Sequence, residues 1–206
     1  MVGTLNRNML EKEKVYLLAL SRALEGRKEF TQKGLAEELG ISLSTVSNAL
    51  KPLVKMNAVR VGKNGFVVSD FGKALVYLAT IRDIGSEIEY ATFAPERPDR
   101  IEASLPSDSV FTAYSAFRKK YEGPSDYSEV YVYSESVDEI KKRFPEKKGP
   151  KNLFALKSNE TIMKLSGGNC APLPLIFADL WNLPEWYAKD YLEKAKETIL
   201  KKTGEK

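Results

Sequence analysis

The sequence predicts a mixed α/β chain in two parts: a helix-rich segment of residues 1–84 that closes on a β-hairpin, and a small α/β segment of residues 85–206. Three observations predict it. Two capped helical runs are separated by one glycine turn at residues 31–51, and an Asn-Gly hairpin signal follows at residues 58–69. The positive excess lies entirely in the first part. Residues 1–84 hold 13 Lys and Arg against 8 Asp and Glu, a net of +5, and the remainder holds 19 against 20. After residues 83–108, helix and strand signals alternate.

The bulk composition, 43% hydrophobic and 29% charged, is that of a soluble globular chain. No apolar run reaches the roughly 18 residues of a membrane span. Met1 to Glu13 is too polar for a secretory signal. Cys170 is the single cysteine, so no internal disulfide forms, and a reduced cytoplasm is the expected compartment. Histidine is absent, which excludes Cys/His zinc sites, Ser-His-Asp triads and histidine general bases. No cofactor and no metal are expected.

Apolar spacing predicts a first helix over Leu10–Leu24, ended by Gly26. Its second half, Val15-Tyr-Leu-Leu-Ala-Leu, is apolar nearly all round. That predicts burial on two sides, against the second part or another copy of the chain. Thr31 caps the next helix, which runs to Leu39, with Phe30 and Leu35 at the spacing of a hydrophobic staple. Gly40 supplies a sharp turn. Ser42 then caps a third helix, with Ile41 and Val46 as its staple.

Leu35, Ala36 and Leu39 form the inner face of one helix, and Ile41, Val46, Ala49 and Leu50 that of the next. The outer face carries Ser44, Thr45, Ser47, Asn48 and Lys51, short hydrogen-bonding groups and one cation, a set suited to base edges in a major groove. Pro52 removes a backbone hydrogen bond and is expected to kink or end the helix. In Ala58–Ser69 two β-rich runs flank Lys63-Asn64-Gly65, where Asn-Gly tolerates positive φ and predicts the hairpin turn. A fourth helix is expected from Asp70 to about Arg82, capped by Ser69.

From Ile41 to Ser69 there is no Asp or Glu, although Lys51, Lys55, Arg60 and Lys63 are present. Phosphate repels carboxylates, so a surface that lies on DNA should lack them. The expected DNA-contacting residues are therefore Ser42, Ser44, Thr45, Ser47, Asn48, Lys51, Lys55, Arg60, Lys63 and Asn64.

The run Leu35-Ala-Glu-Glu-Leu-Gly-Ile-Ser-Leu-Ser-Thr-Val-Ser-Asn-Ala-Leu-Lys resembles winged helix-turn-helix transcription regulators of the MarR and ArsR kind. Asn57-Ala-Val-Arg-Val, the hairpin and Val68-Ser-Asp-Phe-Gly-Lys-Ala-Leu extend that likeness over about residues 10–82. The resemblance implies a double-stranded DNA-binding domain whose hairpin is the wing. A winged helix used only for protein contacts is the alternative.

In the second part, residues 83–108 hold Pro95, Pro98 and Pro106, and Arg100-Ile-Glu-Ala-Ser-Leu is expected to be a strand. Helices are predicted at Ser107–Tyr121, Val137–Phe144, Pro172–Trp181 and Pro184–Leu200, and strands at Glu129–Tyr133 and Leu153–Leu156. The Lys201–Lys206 tail is expected to fray. Gly167-Gly-Asn-Cys-Ala-Pro-Leu-Pro-Leu-Ile-Phe-Ala-Asp-Leu-Trp181 resembles the C-terminal part of AbiEi-type proteins, through Pro172, Leu175, Asp179 and Leu180. That resemblance implies an antitoxin of a type IV toxin–antitoxin system, which represses an operon shared with a nucleotidyltransferase toxin.

The plain reading of Leu175, Phe177, Leu180 and Trp181 is core, and that of Asp179 is a cap or partner near Pro184. Gly167-Gly168 lacks the lysine and strand of a phosphate loop, and Cys170 is expected to be a buried thiol. Gly85-Ser86-Glu87-Ile88-Glu89 is a faint match to a nucleotidyltransferase metal site without a third acid, and Glu135, Asp138 and Glu139 suit a helix start. No enzyme is expected. The expectation is a sequence-specific DNA-binding transcription regulator with duplex DNA as partner, a toxin as functional partner and a possible homodimer. A small-molecule sensor in the second part, or an interaction module without DNA binding, are the alternatives.

Overall fold

A computed structural model describes residues 8–27, 29–121, 123–124 and 126–204. Most of Met1–Glu13 and the end of the tail therefore lie outside the described residues.

The first part begins with α1, Glu11–Leu24, and a two-residue strand β1, Glu29–Phe30. Thr31 caps α2, Gln32–Leu39, by accepting from the Gly34 amide, and Gly40 ends it at φ 64°. Ser42 caps α3, Leu43–Lys55. Strands β2, Val59–Gly62, and β3, Gly65–Val68, form the hairpin, and β1 adds to β3, so the small antiparallel sheet runs β1-β3-β2. Helix α4, Phe71–Ile81, closes this part.

Three local expectations are corrected here. Pro52 lies inside α3 and the helix continues to Lys55, because only the Asn48 carbonyl loses its partner and the next turn closes through Met56 onto the Pro52 carbonyl. Asp70, not Ser69, caps α4 by accepting from the Lys73 amide at 2.9 Å, while the Ser69 hydroxyl donates to the Asn57 carbonyl. In the hairpin, Gly62 pairs with Gly65 and the turn residues are Lys63 and Asn64. Asn64 keeps a negative φ, and Gly65 alone takes a positive one, at 157°. Gly65 is needed for close approach: a Cβ there would lie 2.1 Å from the Phe30 carbonyl oxygen, where β1 crosses β3.

The second part is built on a four-stranded sheet ordered β4-β7-β6-β5, with β4 at Ile88–Thr92, β5 at Val110–Phe111, β6 at Val130–Ser134 and β7 at Leu153–Lys157. The β6–β7 pair is parallel, with α7, Val137–Arg143, in the connection, and the two outer pairs are antiparallel. Arg100–Leu105 is not a strand. Pro98 opens the short helix α5, Pro98–Ala103, at a position where its missing N–H costs nothing. The predicted Ser107–Tyr121 helix is split into β5 and α6, Ala113–Lys120. Helices α8, Glu160–Leu165, and α9, Leu173–Trp181, follow, and α10 runs Ala188–Thr203, further than the frayed tail expected.

The two parts share one hydrophobic core. Helix α1 packs on α3 and α4 on one side and on α8, α9 and α10 on the other, which accounts for its all-round apolar half. Helix α9 is buried from Leu173 to Leu180, between α4, α6, α10 and α1. Leu175, Phe177 and Leu180 are core, as expected, but Trp181 is 44% exposed at the helix end.

Asp179 does not serve Pro184. It accepts from Arg82 Nε at 2.9 Å, from the Thr112 hydroxyl at 2.6 Å and from the Tyr133 hydroxyl at 2.8 Å. Arg82 also bonds Tyr133 and both carboxylate oxygens of Glu87. Burial opposes the Arg82 charge, but Tyr133, Asp179 and Glu87 outweigh it and hold its pKa well above the usual arginine value. Glu87 thus serves as an internal ion-pair partner. Asp138 and Glu139 pair with Lys141 and Arg143 on α7. Cys170 is buried, and burial pushes its thiol up.

Candidate nucleic-acid interface

The outer face of α3 begins at its cap. Ser42 Oγ accepts from the Thr45 amide at 3.1 Å and shares hydrogen bonds of 2.8 Å with the hydroxyls of Ser44 and Thr45. This small hydroxyl cluster fixes the first turn, whose free backbone amides carry the positive end of the helix dipole. At a helical period of about 3.6, Ser44, Asn48, Lys51 and Lys55 fall on one stripe, and all four are exposed. Lys51 Nζ donates to Asn48 Oδ1 at 2.8 Å, so the amide and the cation form one unit pointing outward. Thr45 and Ser47 flank the stripe and are half-buried.

The opposite face holds the helix down. Val46, Ala49, Leu50 and Leu53 are buried, and Tyr16 on α1 donates its hydroxyl to the Ala49 carbonyl. Arg60, Lys63 and Asn64 stand exposed on the hairpin. The structure therefore brings Ser42, Ser44, Thr45, Ser47, Asn48, Lys51 and Lys55 together on α3, and Arg60, Lys63 and Asn64 together on the hairpin. The C-terminal helices cover α1 and α4 and leave the outer faces of α3 and of the hairpin open.

Leu43, outside the set expected from the sequence, also stands exposed beside this face. It is the first residue of α3 and 53% exposed. Its spacing from Val46, Leu50 and Leu53 continues the core stripe, so nothing in the sequence marks it as a surface group. None of the described helices is long and apolar enough to cross a membrane.

No curated protein and no solved structure matches the chain. Residues 22–60, from the last turn of α1 through β1, α2 and α3 to the start of β2, match the family model described as winged helix-turn-helix DNA-binding. The first part of the chain thus has the winged helix-turn-helix fold, and a mixed α/β region follows it.

Proposed function

We propose that the protein is a sequence-specific transcription regulator that places α3 in the major groove of double-stranded DNA and rests Arg60 and Lys63 of the wing on phosphate. The observation that carries this reading is the open, acid-free surface of residues 41–69, which presents Ser44, Asn48, Lys51 and Lys55 on one side of a capped helix. Lysines and arginines there displace condensed counterions, and the short polar side chains meet base edges. The second part holds this domain from behind and acts through binding, with no bond-making chemistry of its own. The buried polar cluster at the junction of the two parts, Arg82 with Glu87, Asp179, Thr112 and Tyr133, is internally satisfied.

Fluorescence anisotropy of the full chain against a mixed duplex pool at two salt concentrations tests the proposal. Binding that weakens steeply with salt is expected, and no binding at low salt overturns it. Selection of bound sequences then yields the operator. A two-fold symmetric site would identify the bound species as a homodimer.

A finer role follows from the resemblance of Gly167–Trp181 to AbiEi-type proteins: an antitoxin that represses its own operon and opposes a nucleotidyltransferase toxin. Pro172, Leu175, Asp179 and Leu180 are all buried, so the likeness supports a shared packing of α9. Growth rescue on co-expression with a nucleotidyltransferase encoded beside this gene is its test. Failure to rescue rules the role out for that toxin.

A further inference from the structure

Six large apolar side chains stand exposed among the described residues, and three of them, Leu43, Val54 and Val61, fall within the acid-free stretch of residues 41–69. The surface that lacks carboxylates is therefore apolar in places as well as cationic. Leu43 lies at its most telling position. It follows the Ser42 cap directly and opens the helix whose outer stripe faces solvent.

In that first turn the polar groups already have internal tasks. Ser42, Ser44 and Thr45 bond one another and the backbone. Leu43 is 53% exposed and contributes only part of its burial energy to the fold. By helical spacing it lies at the edge between the buried face and the Ser44–Asn48–Lys51–Lys55 stripe.

Residues of the first turn of a groove-inserted helix are those that reach base edges. An aliphatic side chain has one complementary feature there, the 5-methyl group of thymine, because the other bases present donors and acceptors along the major groove. A leucine set against guanine or cytosine would strip water from those groups and return no hydrogen bond.

We infer that Leu43 is a specificity-determining residue that packs against the 5-methyl group of a thymine in the bound site. The inference rests on the DNA-binding reading above. The contact carries no charge, so it sharpens sequence choice without altering the salt dependence of binding.

The test uses the full chain and its selected duplex. Each thymine in turn is replaced by deoxyuridine, which removes the methyl group and nothing else, and affinity is measured at fixed salt. One position should lose about fourfold, the worth of one buried methyl group. Leu43→Ala should bind the intact site more weakly, with an unchanged salt slope, and should no longer distinguish thymine from deoxyuridine at that position. Leu43→Met keeps an apolar tip and should keep the discrimination. Uniform tolerance of deoxyuridine by the wild-type chain overturns the inference and leaves DNA binding standing, as does a Leu43→Ala variant that still senses the methyl group. Absence of any duplex binding overturns both.

Discussion

Arg82 at the end of α4 and Asp179 on α9 are 97 residues apart in the chain and meet at 2.9 Å, with both side chains fully buried. The pair bridges the winged helix and the α/β region. Removing one member of a buried ion pair strands the other charge, which costs about 3–5 kcal/mol. Arg82 holds Glu87 as well as Asp179, so Arg82→Ala strands two buried carboxylates and should lower the free energy of unfolding by at least that amount in a denaturant titration. A loss under about 1 kcal/mol, the size of an exposed pair, would mean that the network carries no such weight.

The shared core makes a second expectation. Cutting the chain after residue 84 uncovers the side of α1 that meets α8, α9 and α10 and the side of α4 that meets α9, and it separates Arg82 from Asp179, Tyr133 and Glu87. The full chain should therefore unfold in one cooperative transition, followed alike by tryptophan fluorescence, which reports on Trp181 and Trp186, and by far-UV circular dichroism. The fragment 1–84 should be less stable and prone to associate. Two separated transitions in the full chain would show that the halves fold independently.

What the sequence made legible was local chemistry. Thr31 and Ser42 cap helices because a hydroxyl before a helical run has a free amide three residues on to bond. Gly40 and the apolar periods of α2 and α3 were readable for the same reason. Ser69 and Asp70 are adjacent and both able to cap, and only the fold selects Asp70. Strand β4 pairs with β7, more than 60 residues away, and the six-residue α5 is too short to show a helical period. The partner of Asp179 lies at residue 82, a distance that no spacing argument spans. Most of the candidate interface could be placed from the sequence because its residues sit on one helix and one hairpin. The exposure of Leu43 could not be read, because its spacing is that of a core residue and its exposure is a tertiary fact.

Alkali should unfold the protein abruptly. Burial raises the hydroxyls of Tyr16, Tyr114, Tyr121, Tyr131, Tyr133 and Tyr191 above the usual tyrosine value, and that of Tyr127 to about 12. A folded-state pKa above the unfolded one adds stability that is fully present below the unfolded pKa, about 10 for tyrosine, and is lost as pH rises toward the folded value. The melting temperature should therefore decline above about pH 10. Tyrosinate absorbance from these seven residues should appear together with loss of helical circular dichroism. Their ionisation near the usual value with the fold intact would contradict the burial seen here.

The last expectation separates holding DNA from reading it. Lys63 is exposed on the wing turn, where the proposed binding mode sets it on phosphate, and phosphates are the same in every sequence. Lys63→Ala should weaken binding to all duplexes alike and reduce the salt slope by about 1. Asn48 is exposed at the middle of the α3 stripe, with its carbonyl oxygen held by Lys51 at 2.8 Å. On a base edge the amide can pair with adenine, donating through Nδ2 to N7 while its oxygen turns from Lys51 to accept from N6. Asn48→Ala should then cost about 1–3 kcal/mol on the preferred site and much less on others. Lys51→Ala should weaken binding mainly through the lost cation and keep the preference, because Asn48 retains both halves of its amide. Selection of bound sequences with each variant decides the matter: an Asn48→Ala chain that recovers the wild-type site with undiminished preference would remove Asn48 from the reading surface and leave it a phosphate contact.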